Sequence, residues 1–195
     1  MNRITVAAAG LLLTAAPYTG VHAQQAEGQQ QQQMQQTQGG QQQVELMPTA
    51  QIDPAFAYVA AEGGMAEVQV SQLATQQSKS QQVMDFAQRM IQDHTQTNQQ
   101  LLQIAQQVGA PVPEGPGPKH LLMANALAMK EGAEFDEAYI KGQIRDHQET
   151  IDLYRFAAEN ARNEQLRGFA QSTLPALEEH LQMARQVAQQ LGIEA

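Results

Sequence analysis

The stretch VMDFAQRMIQDHTQTNQQLLQIAQQVG, residues 83–109, decides the fold class of this chain. Its apolar or small side chains recur every three or four residues, which places them on one side of an α-helix. His94 lies in the middle of that side. Ser80 is a suitable N-cap before the stretch, and Gly109 followed by Pro111 ends it. The sequence therefore predicts a long amphipathic helix with a histidine on its buried face.

Three further segments have the same spacing and predict long helices at about 53–78, 134–160 and 163–191. The first and second helices are joined by a very short turn, and so are the third and fourth, so each pair must form an antiparallel hairpin. About 25 residues, with a short helix at about 119–131, separate the hairpins and can reach ~40 Å, the length of a bundle. The predicted fold is all-α, a ferritin-like four-helix bundle with a long crossover that contains a short extra helix.

Some residues predict local features of these helices. Asp53 before Pro54 is expected to be the N-cap of the first helix. Gly63-Gly64 inside that helix indicates either a kink or the close approach of a neighbouring helix. Pro175 is expected to bend the last helix, because proline removes a hydrogen bond and clashes with the preceding turn.

The chain before the bundle has two distinct compositions. Residues 1–23 have the pattern of a secretory signal peptide, with Arg3, a short apolar run and small residues before the expected cleavage point. The run is shorter than the ~20 residues that cross a bilayer, so no transmembrane segment is expected in the mature chain. Residues 24–51 are mostly Gln with some Gly and predict a disordered linker of low complexity. The helical domain is then 52–193, in the periplasm or secreted.

Charge and cysteine content exclude several kinds of site. The formal charge is −9, and cleavage of the signal, which removes Arg3 and no acid, makes it −10. An acidic chain without a Lys/Arg cluster is a poor partner for nucleic acid. The chain has no cysteine, so a metal would have to be held by nitrogen, oxygen or Met sulfur.

One polar side chain that can bind a metal lies near the middle of each long helix. They are Glu67, His94, His147 and His180. Counting residues from the hairpin turns puts all four at one level of the bundle, to within about one helical turn. Each histidine follows an acid, Asp93, Asp146 or Glu179. Adjacent helical residues point ~100° apart, so these acids are expected to accept the distal N–H of a histidine on a neighbouring helix.

This layer predicts a site for one transition metal ion, zinc, iron or copper. Three imidazoles and one carboxylate suit zinc or iron. Copper is considered because Met90 and Met183 lie one turn from His94 and His180, although methionine also fills gaps in helical cores. A four-carboxylate di-iron site is disfavoured, because no histidine has a Glu three residues before it. The alternative is a structural layer of buried histidines that are hydrogen-bonded to one another. His120 is expected at the surface.

Four segments of the chain resemble a known family. They are FAYVAAEGGMAEVQVSQLA (56–74), VMDFAQRMIQDH (83–94), EFDEAYIKGQIRDHQETIDLY (134–154) and FAQSTLPALEEHLQMA (169–184). In this order they resemble the ferritin-like bacterial envelope family called domain of unknown function 4142, whose members are often labelled outer membrane proteins. The resemblance covers about residues 53–191 and implies the ferritin-like fold and an exported location. It implies no activity.

Two functions of different class follow. The first is an exported protein that binds a metal ion in the bundle core through Glu67 and the three histidines. The alternative is a non-enzymatic module of the cell envelope or of a stress response, in which the same residues form a polar core layer. The second hypothesis includes an envelope protein partner, and a homodimer is open in both. No nucleophile elbow, phosphate loop or dinucleotide motif is present, which favours a protein that is not an enzyme.

Overall fold

Five α-helices make up the part of the chain that the structure, a computed structural model, describes, residues 49–194. They follow a single 3-10 turn at Thr49–Gln51. The helices are α1 (Ile52–Gln77), α2 (Gln81–Val108), α3 (Pro118–Ala128), α4 (Gly132–Asn160) and α5 (Glu164–Leu191). No strand occurs within this range. The all-α prediction is confirmed, whereas the predicted signal peptide and nearly all of the predicted linker lie outside the described residues.

The helix ends follow the capping residues in α2 but not in α1. The Ser80 hydroxyl accepts a hydrogen bond from the Val83 N–H, and Gly109 takes the left-handed conformation, φ 67°, that ends a helix. The predicted capping role of Asp53 is wrong, because α1 begins one residue earlier, at Ile52. Asp53 instead accepts hydrogen bonds from the backbone N–H groups of residues 162 and 163, both at 2.9 Å, and so holds the α4–α5 turn against the start of α1.

The helices form a bundle of two hairpins. α1 packs along α2, α4 packs along α5, and the hairpins meet where α1 contacts α4 and α2 contacts α5. Residues 109–131, with α3, lead from the C-terminal end of α2 to the opposite end of the bundle, and α3 packs on α1 and α4. This is the predicted ferritin-like arrangement with one long crossover. α3 ends at Ala128, earlier than predicted.

The apolar core consists of two separate clusters, one toward each end of the bundle. The first contains residues from the start of α1, the end of α2, the end of α4 and the start of α5, among them Phe56, Leu101, Tyr154 and Phe169. The second contains residues from the opposite halves of the same helices, among them Phe86, Met90 and Tyr139. This division requires neighbouring helices to be antiparallel. It also leaves the middle of the bundle free for polar side chains.

The paired glycines in α1 have different surroundings. A Cβ atom on Gly64 would overlap the side-chain amide of Asn98 on α2, whereas a Cβ on Gly63 would meet nothing within 4 Å. The expectation of a close helix approach is therefore confirmed for Gly64 alone. α5 continues through Pro175, which is exposed, and the predicted bend stays a prediction. None of the described helices combines the length and apolar character that crossing a membrane requires.

Candidate metal centre

Three histidines meet in the layer between the two apolar clusters. They are His94 on α2, His147 on α4 and His180 on α5, with exposed fractions of 6%, 1% and 2%. Their ring centroids are 5.3 to 5.5 Å apart, close to an equilateral triangle. One ring nitrogen from each lies within 4.8 Å of the others. The prediction that these histidines share one level is confirmed, and the group is of the kind that could hold a metal ion.

Each ring carries a buried nitrogen without a hydrogen-bond partner. These atoms are Nε2 of His94, Nε2 of His147 and Nδ1 of His180. In two of the rings the opposite nitrogen is fixed: Nδ1 of His147 donates to the Gln143 backbone carbonyl at 2.9 Å, and Nε2 of His180 donates to Asp93 at 2.8 Å. Donation from one nitrogen leaves a lone pair on the other. The unpaired nitrogens of His147 and His180 therefore carry lone pairs that could bind a metal ion.

Burial keeps all three imidazoles neutral at neutral pH. Desolvation lowers the pKa of each, most strongly for His94, where the other two rings lower it further. For His147 and His180, hydrogen bonds to Gln143 and Asp93 act in the opposite direction and leave a net lowering. A metal binds the neutral form of imidazole, so no proton has to be removed from these rings before an ion can bind.

Asp93 confirms the expected role of the preceding acids for one of the three histidines. It lies on α2, accepts from His180 on α5, and also pairs with Arg89. Burial raises the pKa of Asp93, but the hydrogen bonds from Arg89 and His180 outweigh it, so the net pKa is lowered and the carboxylate is ionised. Asp146 pairs instead with Arg145, and Glu179 is exposed, so neither accepts from a histidine.

Glu67 is the predicted site residue that the structure places outside the cluster of ligand atoms. Its carboxyl is buried and accepts a hydrogen bond of 2.6 Å from the Gln143 side chain, while it lines the same cavity as His94 and His180. Burial raises its pKa to about 8, more than the Gln143 hydrogen bond lowers it, and the negative charge of Asp146 adds to the rise. Glu67 is therefore largely protonated at neutral pH.

The methionines and His120 have less direct relations to the centre. Met90 is fully buried in the second apolar cluster and Met183 packs against that cluster, as expected for gap-filling side chains. The expected surface position of His120 is wrong in part, since its side chain is half-buried. It lines the cavity beside the histidine layer, because α3 packs across α1 and α4 at that level.

Sequence reasoning missed Gln143, which connects two parts of the centre. Its side chain binds Glu67, and its backbone carbonyl receives the N–H of His147. One helical turn away, the hydroxyls of Ser71 and Tyr139 form a buried hydrogen bond of 2.9 Å between the same two helices. The available signal was position: Gln143 precedes His147 by four residues and so faces the same way.

The fold and the centre define a ferritin-like four-helix bundle with a buried layer of three histidines. The chain belongs to the family described as Domain of unknown function (DUF4142), whose model matches residues 38–187. The resemblance seen in the sequence is thereby confirmed for the family. Membership brings no assigned activity, and it leaves the outer-membrane label without support.

Solved structures with the same fold share little sequence with this chain. A DUF305 protein from Streptomyces coelicolor is 12% identical, with a TM-score of 0.63, and the match covers 73% of this chain and 95% of that one. A DUF305 fragment from Deinococcus radiodurans is 13% identical, with a TM-score of 0.63 over 72% and 95%. A conserved hypothetical protein from Mycobacterium tuberculosis is 16% identical, with a TM-score of 0.58 over 76% and 96%. No curated protein matches the sequence. These likenesses concern the fold alone.

Proposed function

We propose that this protein binds one transition metal ion in the bundle core through His94, His147 and His180. Glu67 is the proposed fourth ligand or an acid beside the ion. The three unpaired ring nitrogens carry this proposal, because they are buried, mutually close and belong to neutral imidazoles. A metal bonds to imidazole nitrogen at ~2.0 to 2.1 Å, so binding would draw the three nitrogens together.

The same observation argues against a purely structural polar layer. Buried histidines that serve only the fold are expected to satisfy one another's hydrogen bonds, because an unpaired buried polar atom costs about 1 to 3 kcal/mol. Here no histidine is hydrogen-bonded to another among the described residues, and three ring nitrogens have no partner. A metal ion would satisfy all three at once. The interaction-module alternative explains neither the number of these atoms nor their convergence.

The donor set suits zinc, iron or copper. Three neutral imidazoles bind all three metals, and a nearby carboxyl favours zinc and iron over softer ions. Glu67 is protonated at neutral pH in the metal-free state, so it would have to lose its proton and release Gln143 to become a ligand. The three histidines are therefore the proposed core of the ligand set, with Glu67 contributing as ligand or as an acid beside the ion.

The proposed location of this metal protein is the periplasm or the cell exterior. The signal-like pattern of residues 1–23 and the absence of cysteine from the chain support export. Fractionation of cells that produce the full chain, with N-terminal sequencing of the product, tests this. A mature protein that begins near Gln24 in the exported fraction agrees with it, and an uncleaved chain in the cytoplasm contradicts it.

Elemental analysis of the untagged, full-length protein tests metal binding. We expect about one equivalent of one transition metal per chain, and loss of that metal in the variant His94→Ala/His147→Ala/His180→Ala. The matched control is His120→Ala, the same change in a half-buried histidine outside the cluster. It should retain the metal.

A second measurement guards against misfolding of the triple variant. The metal-free wild type, prepared with a chelator, is titrated with zinc, iron and copper while its thermal unfolding is followed. An ion that binds only the folded state raises the unfolding temperature by mass action. The proposal is contradicted if the wild-type protein is purified without metal and gains no thermal stability from any of the three ions.

A further inference from the structure

A cavity of about 310 Å³ lies beside the histidine layer, inside the bundle. His94, His180 and Glu67 line the cavity, and so does Tyr154. Tyr154 follows His147 by seven residues on α4, which corresponds to ~10 Å along the helix axis. α3 contributes a wall, and the cavity is bordered by Val59 and Glu149, which are exposed. A small molecule therefore has a route from solvent to the centre.

Two residues that line this cavity have polar groups without partners. The Tyr154 side chain lines the cavity and is only 4% exposed. Its hydroxyl makes no hydrogen bond to any described residue, and the oxygen is not one of the fully enclosed unpaired atoms. Nε2 of His94 is buried and unpaired. A buried imidazole nitrogen normally has a partner, and a missing partner costs stability, whereas an accessible hydroxyl is free to bond to a ligand. A ligand with a polar group at each end would bond to both.

The walls between these groups are mostly apolar or small. Val59, Leu153 and Leu177 supply aliphatic surface, and the small residues Gly63 and Ala176 leave the space open. A volume of about 310 Å³ is at the lower end of the ~300 to 1,000 Å³ range of ligand pockets, so it suits one ring and its substituents.

The charges around the cavity disfavour an anion, and its mostly apolar walls disfavour the burial of any charge. Asp146 and Glu149 line it together with one lysine, Lys119, which is exposed. Anionic compounds would therefore be repelled as they enter.

We infer that the cavity binds an uncharged single-ring organic molecule with a polar group at each end, one at the histidine layer and the other at the Tyr154 hydroxyl. This inference extends the proposed function. Only the complex with metal-loaded protein rests on the proposed metal site, and the complex with metal-free protein does not. With an ion in place, the inner polar group meets the metal; without one, it meets the unpaired nitrogen of His94.

Calorimetric titration of the full chain with phenol and with 4-hydroxybenzyl alcohol tests this inference, on both metal-free and zinc-loaded protein. Both compounds fit a single-ring cavity, but only the second has a polar group at each end. We expect the second to bind about 3- to 10-fold more tightly, as one added hydrogen bond allows. Tyr154→Phe keeps the ring and removes the hydroxyl, so it should abolish that preference.

A cavity-filling variant gives an independent readout. Gly63→Leu adds a side chain where a Cβ meets no neighbour, and the expected loss of affinity for both compounds is at least about 10-fold. Gly168→Leu is the matched control, since Gly168 is an exposed helical glycine that does not line the cavity and has equally open surroundings. Ala176→Leu serves the same purpose should Gly63→Leu fail to fold.

The outcomes separate this inference from the proposed function. Binding of 4-hydroxybenzyl alcohol that depends on Tyr154 and Gly63 supports the cavity site, whether or not zinc is retained. Absence of binding to both forms below about 10 mM, or binding unchanged in Tyr154→Phe and in the cavity-filling variants, overturns it. Zinc content, measured separately on the same samples, decides the metal proposal.

Discussion

Asp93 on α2 and His180 on α5 are joined by a hydrogen bond of 2.8 Å between the carboxylate Oδ2 and the ring Nε2. The bond connects helices from different hairpins and leaves the buried Nδ1 of His180 as the free nitrogen. The carboxylate is itself held by Arg89. Asp93 thus fixes both the orientation and the tautomer of a proposed ligand without being one.

Asp93→Asn should weaken metal binding by about 10- to 100-fold, the usual effect of losing a carboxylate behind a ligating histidine. The amide keeps the size of the side chain but loses the charge that favours the N–H on Nε2 and that binds Arg89. Competition with a metal chelator measures the change. Asp85→Asn, an exposed position on the same helix, should bind metal like the wild type; equal affinities in the two variants would contradict the role given to Asp93.

The metal-free protein should lose stability as the pH falls below about 6.5. Burial lowers the pKa of His94, His147 and His180 in the folded state, whereas the unfolded chain has ordinary histidine pKa values near 6.5. Below that pH the unfolded state binds protons that the folded state does not bind, so folding becomes less favourable. Urea unfolding between pH 4 and pH 7.5 measures this. A variant with leucine at all three positions should show a smaller loss, and an identical pH profile would disprove the assignment.

Glu67 should act in the opposite direction. Its folded pKa of about 8 lies above the ordinary value of 4.5, so its contribution to stability is complete below pH 4.5 and is lost as the pH rises toward 8. Glu67→Gln should remove this decline in the metal-free protein, because the amide does not ionise. Denaturant titrations from pH 4.5 to pH 9 provide the test. Glu149→Gln, at an exposed position, should keep the wild-type profile.

His94→Leu should stabilise the metal-free protein while it abolishes metal binding. Leucine has a similar size and removes a buried nitrogen that has no partner, which costs about 1 to 3 kcal/mol when left unpaired. We expect a gain of about 1 kcal/mol in the free energy of unfolding. His120→Leu should change it by less than about 0.5 kcal/mol. A clear loss of stability in His94→Leu would show that the ring serves the fold and not a ligand.

Gly63→Ala and Gly64→Ala should differ although the residues are adjacent. Alanine has the higher helix propensity by about 1 kcal/mol, and at Gly63 the new Cβ meets nothing, so that change should raise stability by about this amount. At Gly64 the Cβ requires the Asn98 side chain to move, so the gain should be smaller or reversed. Thermal unfolding of the two variants gives the order, and an equal or larger gain at Gly64 would refute it.

The histidine layer was predictable because helical spacing and turn length fix both the direction and the height of a side chain. His94, His147 and His180 each lie on an apolar stripe, and the hairpin turns set the level at which they meet. Family membership was predictable for the same reason, since its motifs surround these positions. The two hairpins and the crossover followed from loop length alone.

Contacts that polar side chains make with distant parts of the chain were not predictable. Gln143 reaches Glu67 across 76 residues of chain, and Asp53 reaches the α4–α5 turn across more than 100. Each depends on the final packing of helices and on the length of one side chain, neither of which has a periodic signal in the sequence. The half-buried position of His120 and the cavity beside it also depend on where α3 packs against the bundle.

Because the core is divided into two apolar clusters, an ion bound between them would hold the two hairpins together. His94 belongs to the hairpin before the crossover, and His147 and His180 belong to the hairpin after it. An ion held by all three would join segments that the chain itself connects only through a long crossover, and it would stabilise the folded state by binding to it. Loss of the ion would then weaken the packing of one hairpin against the other and leave each hairpin intact. In an environment where metal supply varies, the lifetime of this protein would follow that supply.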